Sequence, residues 1–178
     1  MKSRQLLLVI IGLLLILALG YFFGSSWYYS AHEGKFSNIE LAEGHGFKIA
    51  PENLTAVQTD SLESIQAQDN KIEIVGSGYT GYDFYMWHQP TEKGELYIKA
   101  FEVTTNERLS SDELTERTMH SIREFSSKYK LYKGQSVIYE GAFEKYYPAR
   151  FELWFKSSKN GTEQKLTEKT YLIDSWDR

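Results

Sequence analysis

Few residues in this chain have types and spacings that suggest chemistry. Gly76-x-Gly78-x-x-Gly81 follows an alternating apolar stretch and has the spacing with which a glycine loop cradles a dinucleotide pyrophosphate. That chemistry needs a helix opening at the third glycine, so that backbone amides and the helix dipole face the phosphate. Here the chain runs on into the alternating aromatic stretch 82–89, so the glycines read as a turn. The four histidines, His32, His45, His88 and His120, show no H-x-H, H-x-x-x-H or H-E-x-x-H spacing, and no metal is expected. There is no cysteine and no G-x-S-x-G, which leaves no activated thiol or serine in view. Glu140 with Glu144, and Glu152 with Glu168, would serve glycosidic acid–base work only if they faced each other across a cleft. In a chain with 24 acidic residues they read as a solvated sheet face. No enzymatic activity and no cofactor are expected.

The surplus is aromatic: 13 Tyr, 10 Phe and 4 Trp. Tyr79, Tyr82, Tyr85 and Trp87 crowd one stretch, Tyr139, Tyr146 and Tyr147 a second, and Trp154, Tyr171 and Trp176 the end. Exposed rings beside polar side chains stack on sugars or anchor protein partners, because they bury large area at little entropic cost. Tyrosine is also a good strand former on a half-buried sheet, which is the plain alternative. The small-sided glycines before them, and the shared face of Tyr85 and Trp87 with Asp83 and Gln89, make Tyr79, Tyr82, Tyr85 and Trp87 the candidate ligand-binding residues. If they are exposed, removing the Trp87 ring weakens binding and leaves stability nearly intact.

The elements that would position these rings are mostly strands. Residues 71–75 alternate Ile with charge, and folding back at Asp69-Asn70 would set Ala67 opposite Ile72 and Ile65 opposite Ile74 in a hairpin; a short helix over 60–67 is the rival. A second hairpin is expected from 82–89 and 95–103, joined through Pro90 and Gly94. Ser110-x-x-Glu113 has the form of a capping box, and Leu114, Thr118, Ile122 and Phe125 share one helical face, which predicts one short helix over 110–125, with a long irregular crossover as the alternative. Strands follow over 135–143, 147–156 and 164–176, the last two joined by Asn160-Gly161, with Pro148 near a strand start and a bulge near 167–170 to restore the apolar phase. The expected architecture is an antiparallel two-sheet sandwich, Ig-like or jelly-roll, with a closed barrel second. Its core is expected to include Ile72, Ile74, Phe84, Ile98, Phe101, Val137, Phe151, Phe155, Leu172 and Ile173.

What mounts this body is a run without charge over 6–23, preceded by Lys2 and Arg4. About 18 helical residues reach roughly 27 Å, close to the bilayer's hydrocarbon thickness. A cleaved signal peptide is the rival reading, but the run is long and the Gly24-Ser25-Ser26 that follows is a poor cleavage site. Basic residues stay on the cytoplasmic side, so residues 1–5 are expected inside, 6–23 across the membrane, 24–53 as a stalk that donates an edge strand around 47–49, and 54–178 as the extracytoplasmic domain. Trp27, Tyr28 and Tyr29 suit the far interface. Apart from Lys2 and Arg4 the chain carries a net charge of −6, since the whole is −4, which disfavours nucleic acid and anionic lipid as partners. The function expected from these features is a non-enzymatic interaction module of the bacterial cell envelope, meeting an envelope protein or its own copies. The alternative is a carbohydrate-binding module for a wall or extracellular glycan, with a glycan-processing enzyme third.

Overall fold

Alternating apolar residues bury one face of a strand, and two such faces can cover each other. The computed structural model describes residues 2–33, 35, 36, 39, 46–78, 81–142 and 145–175; Tyr79, Trp176, Glu144 and His45 lie outside them. The described elements run α1 (Lys2–Glu33), β1 (Lys48–Ile49), α2 (Ala56–Glu63), β2 (Lys71–Gly76), β3 (Tyr82–His88), β4 (Gly94–Glu102), β5 (Arg108–Leu109), α3 (Ser111–Thr118), β6 (His120–Ile122), β7 (Lys130–Ser136), β8 (Tyr147–Ser157) and β9 (Glu163–Ile173). The chain is mostly strand, in two sheets. One has the order β1-β9-β8-β4-β5 with β6 also on β4, and the other is β2-β3-β7. Every pairing is antiparallel except β1 with β9.

Ile72, Ile74, Phe84 and Met86 of the small sheet share one core with Ile98, Phe151, Leu153 and Ile173 of the large one. Of the expected core residues, all but Phe101 and Val137 are buried, and those two are half-buried. Phe101 points to the outer face of β4, where the Arg150 guanidinium lies 5.3 Å from its ring.

Both early hairpins are corrected. Residues 60–67 do not pair with β2. Thr55 and Gln58 form a reciprocal capping box that starts α2, and β2 instead pairs with β3 across the glycine turn, Gly76 facing Tyr82. Gly81 has φ +90°, and a Cβ there would sit 2.5 Å from the Ser136 carbonyl oxygen, so the turn needs glycine. Nor do 82–89 and 95–103 pair: β3 is filled on both edges by β2 and β7, and the chain through Pro90 crosses to the other sheet, where β4 pairs with β8.

The predicted helix forms only as α3. The Ser110 box is absent because Ser110 adopts φ +39° and gives its N–H and hydroxyl to the Glu140 carboxylate, at 2.8 and 3.0 Å. The chain leaves the helix at Met119, and residues 120–122 become β6, so Ile122 is buried by β4 while Phe125 stays exposed. Between β5 and β6, the Thr118 hydroxyl accepts the Ile98 N–H at 3.0 Å, filling the gap they leave on the edge of β4.

The last two strands pair through the Asn160-Gly161 turn, with Pro148 second in β8. The expected bulge is present one residue early: Trp154 faces Lys165 while Leu153 faces Thr167, leaving Leu166 as the extra residue. This shift turns Tyr171 and Ile173 inward.

Helix α1 is long and apolar enough to cross a membrane, and none of its window Ile10–Tyr28 is covered by the rest of the chain. It continues through residues expected in the stalk. Three residues past its end, Phe36 is buried against Tyr147 with ring centroids 5.0 Å apart, and Lys35 pairs with Glu107. The expected edge strand is β1.

Candidate functional site

Of the four rings singled out from sequence, the three among the described residues are buried rather than displayed. Tyr82 is 6 % exposed, Tyr85 7 % and Trp87 1 %. The reason is the position of β3: as the central strand of the small sheet it packs both its faces, Phe84 and Met86 against the large sheet, Tyr85 and Trp87 beneath the chain segment that includes α2. Tyr82 hydrogen-bonds through its hydroxyl to the Asp174 carboxylate and carbonyl, both at 2.9 Å, and burial drives its pKa far upward. The structure therefore keeps Tyr85 and Trp87 together, 6.4 Å apart and stacked, and sends Tyr82 to the other face.

What lies over Tyr85 and Trp87 is a second apolar cluster. Val75, Tyr85 and Trp87 form its floor, with Leu54, Leu62, Ile65, Ala67 and Leu131 packed on them. The helix that lies over it is thinly attached, since no residue of α2 is buried and Val57 is 75 % exposed. Its entry is fixed by backbone bonds between the 51–53 stretch and Gly76, Gly76 N–H to Pro51 O at 2.8 Å and Asn53 N–H to Gly76 O at 2.9 Å. Its exit is held by Lys133, whose ammonium meets the Glu63 carboxylate at 2.6 Å and lies 5.9 Å from the Tyr85 ring. That Glu63 bond pushes the Lys133 pKa up.

Between α2 and β2 this leaves an open groove of about 330 Å³, walled by Pro51, Leu54, Leu62, Ile65 and Val75, with Glu73 at its rim. Glu73 also clasps the two sheets: it accepts from Lys169 at 2.5 Å and from the Tyr171 hydroxyl at 2.6 Å, and Lys71 lies 3.2 Å away. Burial alone would raise its pKa, but the bonds from Lys169 and Tyr171 outweigh it and hold the carboxyl below the usual value. The Trp87 indole N–H is buried and has no acceptor among the described residues, although Lys71 sits 5.6 Å from the ring. The groove can thus receive an apolar group, with amide, hydroxyl and carboxylate groups of Gln58, Ser61 and Glu73 at its edge.

The other sites raised from sequence serve structure. His88 bonds Asn70 at 2.9 Å and burial lowers its pKa, while the His120 ring nitrogen contacts the Lys133 carbonyl at 2.8 Å. Among the described residues no three His, Asp or Glu side chains gather as a metal site would require. Glu152 faces Glu168 across β8 and β9, but no cleft separates them: Glu152 bonds Arg150 and the Trp154 indole, each at 2.9 Å, and Lys165 lies 2.8 Å from Glu168.

Sequence reasoning missed the groove, and the signal that would have found it is Thr55-x-x-Gln58, a capping box followed by Leu62 and Ile65. It also missed the outer face of the large sheet, where Lys99 lies 4.0 Å from the Trp154 ring and 5.6 Å from that of Tyr97 while bonding Glu163 at 2.7 Å. Compared with models of protein families, with curated proteins and with solved structures, the chain matches none.

Proposed function

We propose that this protein is a single-pass, membrane-anchored binding module without enzymatic activity, whose body takes an apolar element of an envelope protein into the groove beside α2. The observation that carries the reading is a helix with no buried residue lying over the apolar cluster Val75, Tyr85 and Trp87, with an open apolar groove along its flank. Support for the mounting comes from α1, whose uncovered apolar surface is long enough to span a bilayer, and from Lys2 and Arg4, which argue for a cytoplasmic N-terminus and an extracytoplasmic body. Two sheets sharing one core support a sandwich, of Ig-like or jelly-roll kind.

A glycan-binding reading keeps one observation in its favour, though at other residues than those first chosen. Trp154 and Phe101 are half-buried on the outer face of the large sheet beside Arg150, Asn106 and Glu152.

The test is a photo-crosslinking amino acid placed at Val57 in the full chain, in living membranes, with Glu116, also exposed, as the control. A discrete adduct from position 57 and none from 116 is expected. Equal or absent adducts at both positions would contradict a site beside α2.

A further inference from the structure

The two ends of the body differ in charge. Phe36 enters the core at Tyr147, the first residue of β8, so the anchor joins the end where β3 and β2 meet at Tyr82 and Gly76. The opposite end is built from the Asp69-Asn70 turn, where Asn70 bonds His88 at 2.9 Å, and from three loops, 89–93, 123–129 and 158–162. They are bonded into one surface: Ser126 N–H to the Pro90 carbonyl at 3.0 Å, the Gln89 amide to the Ser127 carbonyl at 3.1 Å, and Ser158 N–H to the Lys93 carbonyl at 2.9 Å. Strand β4 runs its nine residues between the two ends, on the order of 30 Å.

On this far end stand Lys93, Arg123, Lys128, Lys130 and Lys159, all exposed, and none makes an ion pair among the described residues. By contrast, Lys99, Lys133, Arg150, Lys165 and Lys169 on the sheet faces are all paired with carboxylates. Three carboxylates stand on the same end, Asp69, Glu124 and Glu92, which accepts the Ser157 hydroxyl at 2.9 Å. A chain that carries −6 apart from Lys2 and Arg4 therefore turns an end with five cations and three carboxylates away from its anchor. At the tip of that surface Phe125 is 64 % exposed, an apolar ring that the fold does not use.

We infer that this membrane-distal surface binds an anionic polysaccharide. The charges match its carboxylates or phosphates, and a ring at the tip among hydroxyl and amide side chains can stack on a sugar face. An anionic bilayer is the less favoured occupant, because on the anchored-module reading the five cations stand on the end opposite the link to α1, about a domain's width from the membrane. The inference rests on the anchored-module reading for which end is distal, and not on the groove for its chemistry.

The test uses the full chain in phosphatidylcholine nanodiscs with three probes: polygalacturonate, neutral dextran, and vesicles of phosphatidylcholine with phosphatidylglycerol. Polygalacturonate is expected to bind and dextran not, with affinity falling about tenfold or more as salt rises through the physiological range. The double variant Lys128→Gln/Lys130→Gln should weaken binding about tenfold, and Phe125→Ala should weaken it while leaving the salt dependence unchanged. All three positions are exposed, which leaves the melting temperature as an independent check of folding. Capture by vesicles but not by polygalacturonate, equal retention by dextran, or unchanged binding by the folded double variant would each overturn the inference. Crosslinking from Val57 reports on the groove alone, so loss of that adduct with polygalacturonate binding intact would fault the groove and spare this surface.

Discussion

Replacing Trp87 by alanine separates a displayed ring from a packed one. The side chain is 1 % exposed and forms the floor of the cluster over which α2 lies, so the substitution removes a fully buried indole and leaves a cavity. Such changes cost about 3 to 5 kcal/mol. The indole N–H without an acceptor offsets part of that, because a buried unsatisfied donor carries a penalty of about 1 to 3 kcal/mol that disappears with the ring. At the midpoints of those ranges the net expectation is a loss of about 2 kcal/mol, or a fall in Tm of roughly 5 to 10 °C for a body of this size. Trp87→Phe keeps most of the volume and removes the orphan donor, so it should stay within about 1 kcal/mol of the parent. Thermal unfolding of the full chain in detergent, followed by near-ultraviolet circular dichroism, measures both. A Tm for Trp87→Ala within about 3 °C of the parent would refute the packing of β3 beneath the α2 segment.

Other consequences follow from single contacts. Glu73 has a depressed folded pKa, so its clasp between β2 and β9 contributes fully above the ordinary glutamate value of 4.5 and is lost as pH falls below it; Glu73→Gln should flatten that acid limb of a stability–pH curve. Gly81→Ala should destabilise by more than about 2 kcal/mol, since its Cβ would meet backbone atoms of Ser136 and Val137, whereas Gly161→Ala, also at positive φ but in open space, should cost only about 1 kcal/mol in denaturant titration. Phe36→Ala should lower Tm by several degrees in the full chain, because the ring packs on Tyr147; no change would show that the link from α1 is not docked in the core.

The apolar helix, the predominance of strands and most of the core were legible because each is a periodic pattern carried by local sequence: 18 uncharged residues, Ile72 and Ile74 in alternation, and the Asn160-Gly161 turn. Pairing partners were not. Ile65 and Ala67 have the right spacing to face Ile74 and Ile72 in a hairpin, yet they follow α2 as irregular chain and cover the other side of the sheet, because β3 takes the edge of β2 and the Thr55 capping box starts the helix upstream. The burial of Tyr82, Tyr85 and Trp87 was hidden for a related reason. A stretch whose two faces are both apolar reads equally as a binding surface or as a strand packed on both sides, and only the presence of α2 on the second face decides it. Phe125 shows the converse: helical spacing placed it with Leu114 and Thr118, but β6 ended the helix and left the ring outside.

The chain has no cysteine, so a single Val57→Cys or Glu116→Cys gives a unique label on an exposed side chain of α2 or α3. The most direct test of a tethered module with an occupied groove is the rate at which a membrane-impermeant maleimide labels each variant, first in intact cells with an opened envelope and then as purified protein. The account predicts that both cysteines are reached from outside, and that position 57 alone reacts several-fold more slowly in the envelope than after purification. Labelling of neither from outside would contradict the orientation, and equal rates for position 57 in the two settings would contradict a partner at the groove.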